Sequence, residues 1–339
     1  MSAGTVTIKA VNLVDFVSSI ISLFPKGSTT LPIGVTIEGD TITFTCTTGC
    51  YYQAEYAINN PNNVSKSMTI LFCNIVDYLP TTDEIAITFQ SRSMEFSGAG
   101  FEISLSTGYS LVNKLDFSRY QFETIVGKQY IAALKDLMSL NLSSIYMHEV
   151  PVSIYRNVSV IKYPNLMAMS KTDGLTFSGS IIPDHVKLLC KFSGDEVCDT
   201  DEDSLIFRRG NSYLQLPRKK LYEENNFLRM MEGLSEPYNL SFTGYINRLR
   251  AMGKLGTNAK CKLVLLNDGL KTTVSTNSIT LTDKIGKCQD SVVKTFEMPI
   301  TVWSMIVKAL GNGTVQILYR GDVLCLRTQY LIILTRALA

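Results

Sequence analysis

The stretch PDHVKLLCKF, residues 183–192, sets Lys187 and Lys191 four residues apart, with Asp184 three residues before the first of them. On a helix this spacing puts the three charges on one side and leaves Val186, Leu189 and Cys190 to meet another surface. The flanking runs GLTFSGSI and DSLIFRRGNSYLQLP read as strands, with alternating or apolar content and turn residues at their ends. A short helix with a wet, positive stripe therefore sits between sheet-forming segments.

That plan occurs three times. After the opening strand TVTIKA, the run NLVDFVSSIISLF at 12–24 spaces Leu13, Phe16, Val17, Ile20, Ile21 and Phe24 as one apolar helix face, and Pro25 stops it. LPIGVTIEGDTITFTCTT and CYYQAEYAI follow as strands with a turn at EGD. KSMTILF then leads into a second short helix, CNIVDYL at 73–79, and a strand meander closes the passage. The second passage starts with the strand SRYQFETIV and the helix GKQYIAALKDLMSL at 127–140, then PVSIYRNVSVIKYPNLMAMS, the opening helix and two more strands. The third runs from a strand near Leu240 into a helix at 244–255, turns a hairpin at Asn267 to Gly269, and passes through SVVKTFEMPI into TVWSMIVKALG and the last strands. Recurrence at about 110 residues predicts three similar domains, 1–114, 115–224 and 225–339, of class α+β.

Composition sets outer limits. A chain of 339 residues that is 45% apolar can bury a large interior without staples. With 32 basic and 30 acidic residues the net charge is +2, which excludes a histone-like wrapping protein but permits local positive patches. No apolar run reaches the roughly 20 residues needed to cross a bilayer, and no basic leader precedes an apolar core. The expectation is a cytoplasmic protein without membrane contact. Eight scattered cysteines, most beside apolar strand residues, are expected as free thiols in a reducing compartment, so the five Asn-X-Ser/Thr matches are read as chance.

The polar helix faces carry the functional signal. Lys128, Lys135 and Ser139 share one face; Asp184, Lys187 and Lys191 a second; Asn247, Arg250 and Lys254 a third, with Arg248 on its flank; Thr301, Ser304 and Lys308 a weaker fourth. Long cationic side chains on a shared surface would approach phosphate oxygens without reading bases, giving salt-dependent, sequence-neutral attachment. The first passage dissents, because its helix 12–24 has no basic residue on its polar side and CNIVDYL offers Asp77.

Element order over nearly the whole chain resembles a DNA polymerase sliding clamp of the three-domain bacterial type, and the compact, remote sequence suggests a bacteriophage member. The resemblance implies three clamp-like domains with outer antiparallel sheets and two inner helices each. It also implies a head-to-tail homodimer closed round double-stranded DNA, which tethers a DNA polymerase and is opened by an ATP-dependent clamp loader. It places Lys128, Lys135, Lys187, Lys191, Arg250, Lys254 and Lys308 on the inward face, with Lys26 reaching in from the end of the first helix. A pocket for short apolar partner peptides would lie near Tyr330, Leu331 and Leu334, with Met298 and Pro299 as weaker walls. If the chain is phage-encoded, its place is the host-cell cytoplasm.

Catalytic chemistry does not assemble. His148 and His185 lack metal-ligand partners at useful spacing, and neither Cys46/Cys50 nor Cys190/Cys198 joins a second close pair. The acidic turn DTDEDS at 199–204 lacks the glycine and terminal glutamate of a calcium loop, and no phosphate-binding glycine loop is present. The expectation is a processivity factor that is not an enzyme and uses no cofactor or metal. The competing readings are a viral structural or host-interaction protein and a processivity subunit that never closes.

Overall fold

The computed structural model describes residues 4–21, 30–73, 75, 78–79, 84–108, 113–125, 129–140, 150–155, 157–172, 175, 177–200, 203–219, 221, 231–255, 259–288 and 291–336. Five helices fall within them: α1 (Ala10–Ile20), α2 (Gln129–Ser139), α3 (Pro183–Phe192), α4 (Tyr245–Gly253) and α5 (Ile300–Leu310). The chain forms two compact units, one of residues 1–125 and 188–218, the other of 126–187 and 219–339. The second sequence passage is thus divided between them, and the boundary falls inside α3.

In the first unit a single sheet of 12 strands carries everything else. Its path runs from Phe101–Ser106 through Ser93–Gly98, Glu84–Phe89 and Gly4–Lys9 to Tyr51–Asn59, and on through Ser212–Pro217, Ser204–Arg209 and Glu196–Asp199 to Glu123–Thr124. Thr41–Thr47, Thr30–Glu38 and Lys66–Cys73 branch from Tyr51–Asn59. The turn between Thr30–Glu38 and Thr41–Thr47 needs a left-handed residue, which Gly39 supplies at φ 57° without a Cβ penalty. α1 lays Leu13, Phe16, Val17 and Ile20 on this sheet, all fully buried. Phe16 stacks on Phe44 at 4.5 Å between centroids and meets the edge of Phe72 at 6.0 Å, which fixes the helix along the sheet.

The second unit has two sheets. The larger runs Gly179–Ile181, Val152–Tyr155, Val158–Tyr163, Leu166–Lys171, Leu331–Arg336, Val323–Arg327, Thr314–Arg320, Tyr238–Ser241. The smaller runs Thr280–Gly286, Gly269–Ser275, Lys260–Leu266, Val292–Pro299. Its core is polar at one point: Trp303 Nε1 donates to Tyr245 Oη at 2.8 Å, and that hydroxyl lies 2.5 Å from Thr272 Oγ1. This chain ties α4, α5 and a central strand together. Burial raises the Tyr245 hydroxyl well above its ordinary range.

The expected helices appear with shifted ends: 12–24 starts earlier and is described as Ala10–Ile20, with 22–24 outside the described residues, 244–255 becomes Tyr245–Gly253, and α3 keeps its bounds. Of the expected helix 73–79, residues 74, 76 and 77 lie outside the described residues; Cys73 closes a strand, and Tyr78 N donates to Ile75 O at 2.9 Å. The expected strand SRYQFETIV shrinks to Glu123–Thr124. Before it the chain turns, with Ser118 N donating to Asp116 Oδ1 at 2.9 Å and Tyr120 N to Phe117 O at 3.2 Å. The Phe117 ring stacks on Tyr213 at 4.4 Å, so apolar contact with the sheet face replaces strand pairing here.

All eight cysteines are free thiols. Burial pushes Cys46, Cys50 and Cys261 up to about 12. These three should resist alkylation at pH 8 in the folded chain and react fully in urea, as mass spectrometry would count. The unfolded chain ionises them from about pH 9. The folded chain keeps its protons until about 12, so their contribution to stability is complete below pH 9 and falls as the pH rises beyond it.

Candidate nucleic-acid interface

Each helix buries one face and presents the other. In α4, Tyr245, Leu249 and Met252 are buried at spacings of four and three, so Asn247, Arg248, Arg250 and the following Lys254 point outward. In α5, Ile300, Val302, Trp303, Ile306, Val307 and Leu310 are buried, leaving Lys308 exposed and Ser304 half-buried. α4 and α5 pack side by side, close enough that a Cβ on Gly253 would come 4.0 Å from Ser304 Oγ. A groove between them has Ile246, Leu249 and Met305 in its floor and Ser304, Arg250 and Lys308 at its rim. Two cations from separate helices thus converge on one concave, otherwise apolar surface.

The other predicted cations differ in their freedom. Arg248, two residues from Arg250, is turned away from the groove and held by Asp283, with Nε donating to Oδ2 at 2.8 Å and to Oδ1 at 3.1 Å. Lys187 pairs with Asp184 at 2.7 Å, but both side chains are more than half exposed, so the pair is weak and open to exchange. Lys191 is exposed in the last turn of α3, where the helix dipole favours a positive charge. Lys135 is exposed on α2 beside half-buried Asp136, whose carboxyl burial raises above its ordinary range. Among the described residues, no carboxylate forms an ion pair with Lys135, Lys191, Arg250, Lys254 or Lys308. Lys26 and Lys128 lie outside the described residues.

The acid on α1 has a partner that the sequence did not signal. Asp15 accepts from Arg209 Nη2 at 3.2 Å and from Tyr56 Oη at 3.0 Å, while the Arg209 guanidinium lies 5.4 Å from the Phe192 ring. Burial together with the neighbouring Asp15 holds the Tyr56 hydroxyl far above its usual range. Asp15 is therefore charge-compensated, and the first unit offers little negative charge from this helix. Asp15 and Arg209 are 194 residues apart, so local spacing carries no trace of the pair.

The five residues expected around a peptide pocket are distributed over two sheets. Met298 is buried opposite Cys261 in the smaller sheet, with half-buried Pro299 at the strand end. Tyr330 is 55% exposed in the turn before the last strand. Leu331 and Leu334 are both buried but, three apart on a strand, point to opposite faces. Leu334 joins Met167, Val323, Cys325 and Ile332 in an apolar cluster onto which Met231 and Leu234 pack. The alternation in LMAMS, residues 166–170, is the sequence signal that could have found Met167 and Met169.

Among the described residues, no group of three or more His, Cys, Asp or Glu side chains converges as a metal site. No helix among them is long and apolar enough to cross a membrane.

No protein-family model matches the sequence, and no curated protein matches it. Solved structures do match. The DNA polymerase sliding clamp of Pseudomonas aeruginosa superposes with a TM-score of 0.79 at 10% identity, covering 99% of this chain and 100% of that one. The pol III beta of Caulobacter crescentus gives 0.79 at 11% identity, with the same coverage. The Bacillus subtilis DNA polymerase sliding clamp gives 0.75 at 12%, covering 100% of both chains. The chain thus has the α+β fold of solved bacterial DNA polymerase sliding clamps.

Proposed function

We propose that this protein is a sliding clamp: a processivity factor, not an enzyme, whose head-to-tail homodimer closes round double-stranded DNA and tethers a DNA polymerase. The observation that carries the reading is end-to-end agreement of fold with clamps of three bacteria, which no single repeated domain would produce. The groove rimmed by Arg250 and Lys308 adds a surface suited to sequence-neutral phosphate contact. Three domains, 1–114, 115–224 and 225–339, each supply helices to the DNA-facing side and strands to the outside. Lys135, Lys187, Lys191, Arg250, Lys254 and Lys308 make the phosphate contacts, joined by Lys26 and Lys128. Arg248 belongs to this set only when it leaves Asp283.

The partners are duplex DNA, a polymerase and an ATP-dependent clamp loader, in the cytoplasm. Partner peptides dock on the apolar cluster at Leu334, with Tyr330 and Leu331 at its margin and Met298 and Pro299 more remote. In this reading the chain is a bacteriophage member of the clamp group. A particle image with a measured mass tests the reading. Two chains of 37.7 kDa enclosing an opening wide enough for a duplex are expected. A solid particle, or a monomer at micromolar concentration, would overturn it.

A further inference from the structure

The smaller sheet of the second unit has two faces of opposite character. On one, Leu263, Thr272, Val274 and Phe296 are buried. That face is turned to the helices. Tyr245 of α4 reaches Thr272 with its hydroxyl, and Arg248 of the same helix holds Asp283, which lies opposite Thr272 in the next strand. Side chains alternate along a strand, so the residues between these stand on the far side of the sheet from α4 and α5.

Four lysines stand on that far side: Lys260 and Lys262 in Lys260–Leu266, Lys271 in Gly269–Ser275 and Lys284 in Thr280–Gly286. Lys260, Lys262 and Lys284 are exposed and Lys271 is half-buried. The register sets Lys271 directly opposite Lys284, with Lys262 opposite Thr273 and Lys260 opposite Ser275. Strands lie about 5 Å apart and alternate residues about 7 Å apart, so the four positions follow one diagonal of roughly 17 Å across the sheet. Glu297, opposite Lys262, is the one acid among the strand residues of this face. No carboxylate among the described residues forms an ion pair with any of these lysines. Like charges directly opposite each other repel, so the placing of Lys271 against Lys284 destabilises the sheet locally.

We infer that this face receives an acidic, extended segment of a partner protein, whose alternate carboxylates meet Lys260, Lys262, Lys271 and Lys284 along the diagonal. Charge complementarity carries the assignment, because a carboxylate set between Lys271 and Lys284 turns their repulsion into two attractions. The spacing agrees: same-side residues of an extended chain recur at about 7 Å, the separation of Lys260 from Lys262 along their strand. Thr273 and Thr282, with hydroxyl oxygens 3.4 Å apart beside the lysines, add a donor for the same carboxylates. A nucleic acid fits less well. The strand residues of this face include no aromatic ring on which a base could stack and no arginine fork for phosphate. In the clamp reading, moreover, duplex DNA lies against α4 and α5, with the sheet in between. Only that last point borrows from the clamp reading; the lysine face needs neither a ring nor a second copy.

Fluorescence anisotropy of a labelled peptide of alternating glutamate and threonine, titrated with the full-length protein, tests the assignment. Binding is expected, weakening as salt rises from about 50 to 200 mM, and the peptide with glutamine in place of glutamate should not bind. Lys262→Glu with Lys271→Glu should lower the affinity about tenfold or more. The first substitution sets a carboxylate opposite Glu297 and the second sets one opposite Lys284, an unfavourable and a favourable pairing, so the thermal midpoint should hold. Lys162→Glu with Lys171→Glu makes the same charge change at exposed positions of the larger sheet and should leave the peptide affinity unchanged. No binding of the acidic peptide, or an equal loss in the two double variants, overturns the inference. So does a single-stranded or duplex oligonucleotide that the peptide displaces and that Lys262→Glu with Lys271→Glu weakens, since the face would then hold nucleic acid. Duplex affinity that is indifferent to Arg250→Glu with Lys308→Glu removes the DNA-facing role of the α4/α5 groove and leaves the lysine face standing.

Discussion

Reversing both cations of the α4/α5 groove, Arg250→Glu with Lys308→Glu, is expected to lower affinity for duplex DNA by on the order of 100-fold while the thermal midpoint moves little. Each charge-assisted contact to phosphate contributes about 1.5 kcal/mol or more. Loss of two such contacts gives the factor of 100. The two side chains are exposed and make no ion pair among the described residues, so folding does not depend on them. The slope of log affinity against log salt should shrink by about two, roughly 0.9 for each lost phosphate contact. Fluorescence anisotropy on a labelled duplex between about 50 and 200 mM salt reads both quantities. Arg248→Glu supplies the contrast. Its guanidinium is committed to Asp283, so this substitution should act first on stability and only weakly on the salt slope. A double variant with unchanged affinity and slope would show that the groove does not face DNA.

The second large effect is thermodynamic. Trp303→Ala should destabilise the protein by about 3–5 kcal/mol, the usual cost of removing a large aromatic side chain from a packed core. Trp303 is fully buried, and its indole N–H supplies the hydrogen bond to the Tyr245 hydroxyl, which in turn contacts buried Thr272. Trp303→Phe separates the two contributions. It keeps most of the apolar volume but takes away the donor, at a cost of about 1–3 kcal/mol for a buried polar group left short of a partner. Urea unfolding should show both losses as lower midpoints with the slope preserved. If Trp303→Phe were neutral, the Trp303–Tyr245–Thr272 chain would have no part in holding α4 against α5. Since Arg250 and Lys308 ride on those two helices, such a loss also bears on the width of the groove.

The helices were legible because their determinants are local. The spacing of four and then three residues recurs as Leu13, Val17, Ile20, as Tyr130, Leu134, Leu137 and as Tyr245, Leu249, Met252, and in each case the structure buries all three. Hairpin turns at EGD and YRGD were equally plain, with Gly39 and Gly321 both at φ 57°. The strand expected at 118–126 failed for a non-local reason: Phe117 finds Tyr213, 96 positions later in the chain, and the segment folds onto the sheet face instead of joining its edge. Site residues divide in the same manner. Exposure of Lys135, Lys187, Lys191, Arg250, Lys254 and Lys308 follows from helical periodicity, but their pairing does not. Nothing within a turn of Arg248 distinguishes it from Arg250.

The sequence alone therefore determined the order of the main helices and strands, the buried face of each described helix and the list of outward cations, because each depends on side chains a few residues apart on a regular backbone. Only the tertiary structure decided which cations remain available, which residues share a groove, and which strand edges are already paired. Those outcomes depend on Asp283 reaching Arg248, Lys308 meeting Arg250 across two helices, and Ser212–Pro217 joining Tyr51–Asn59. Such contacts join side chains distant in the chain, and their energies are set by burial and distance in space, which local periodicity does not encode.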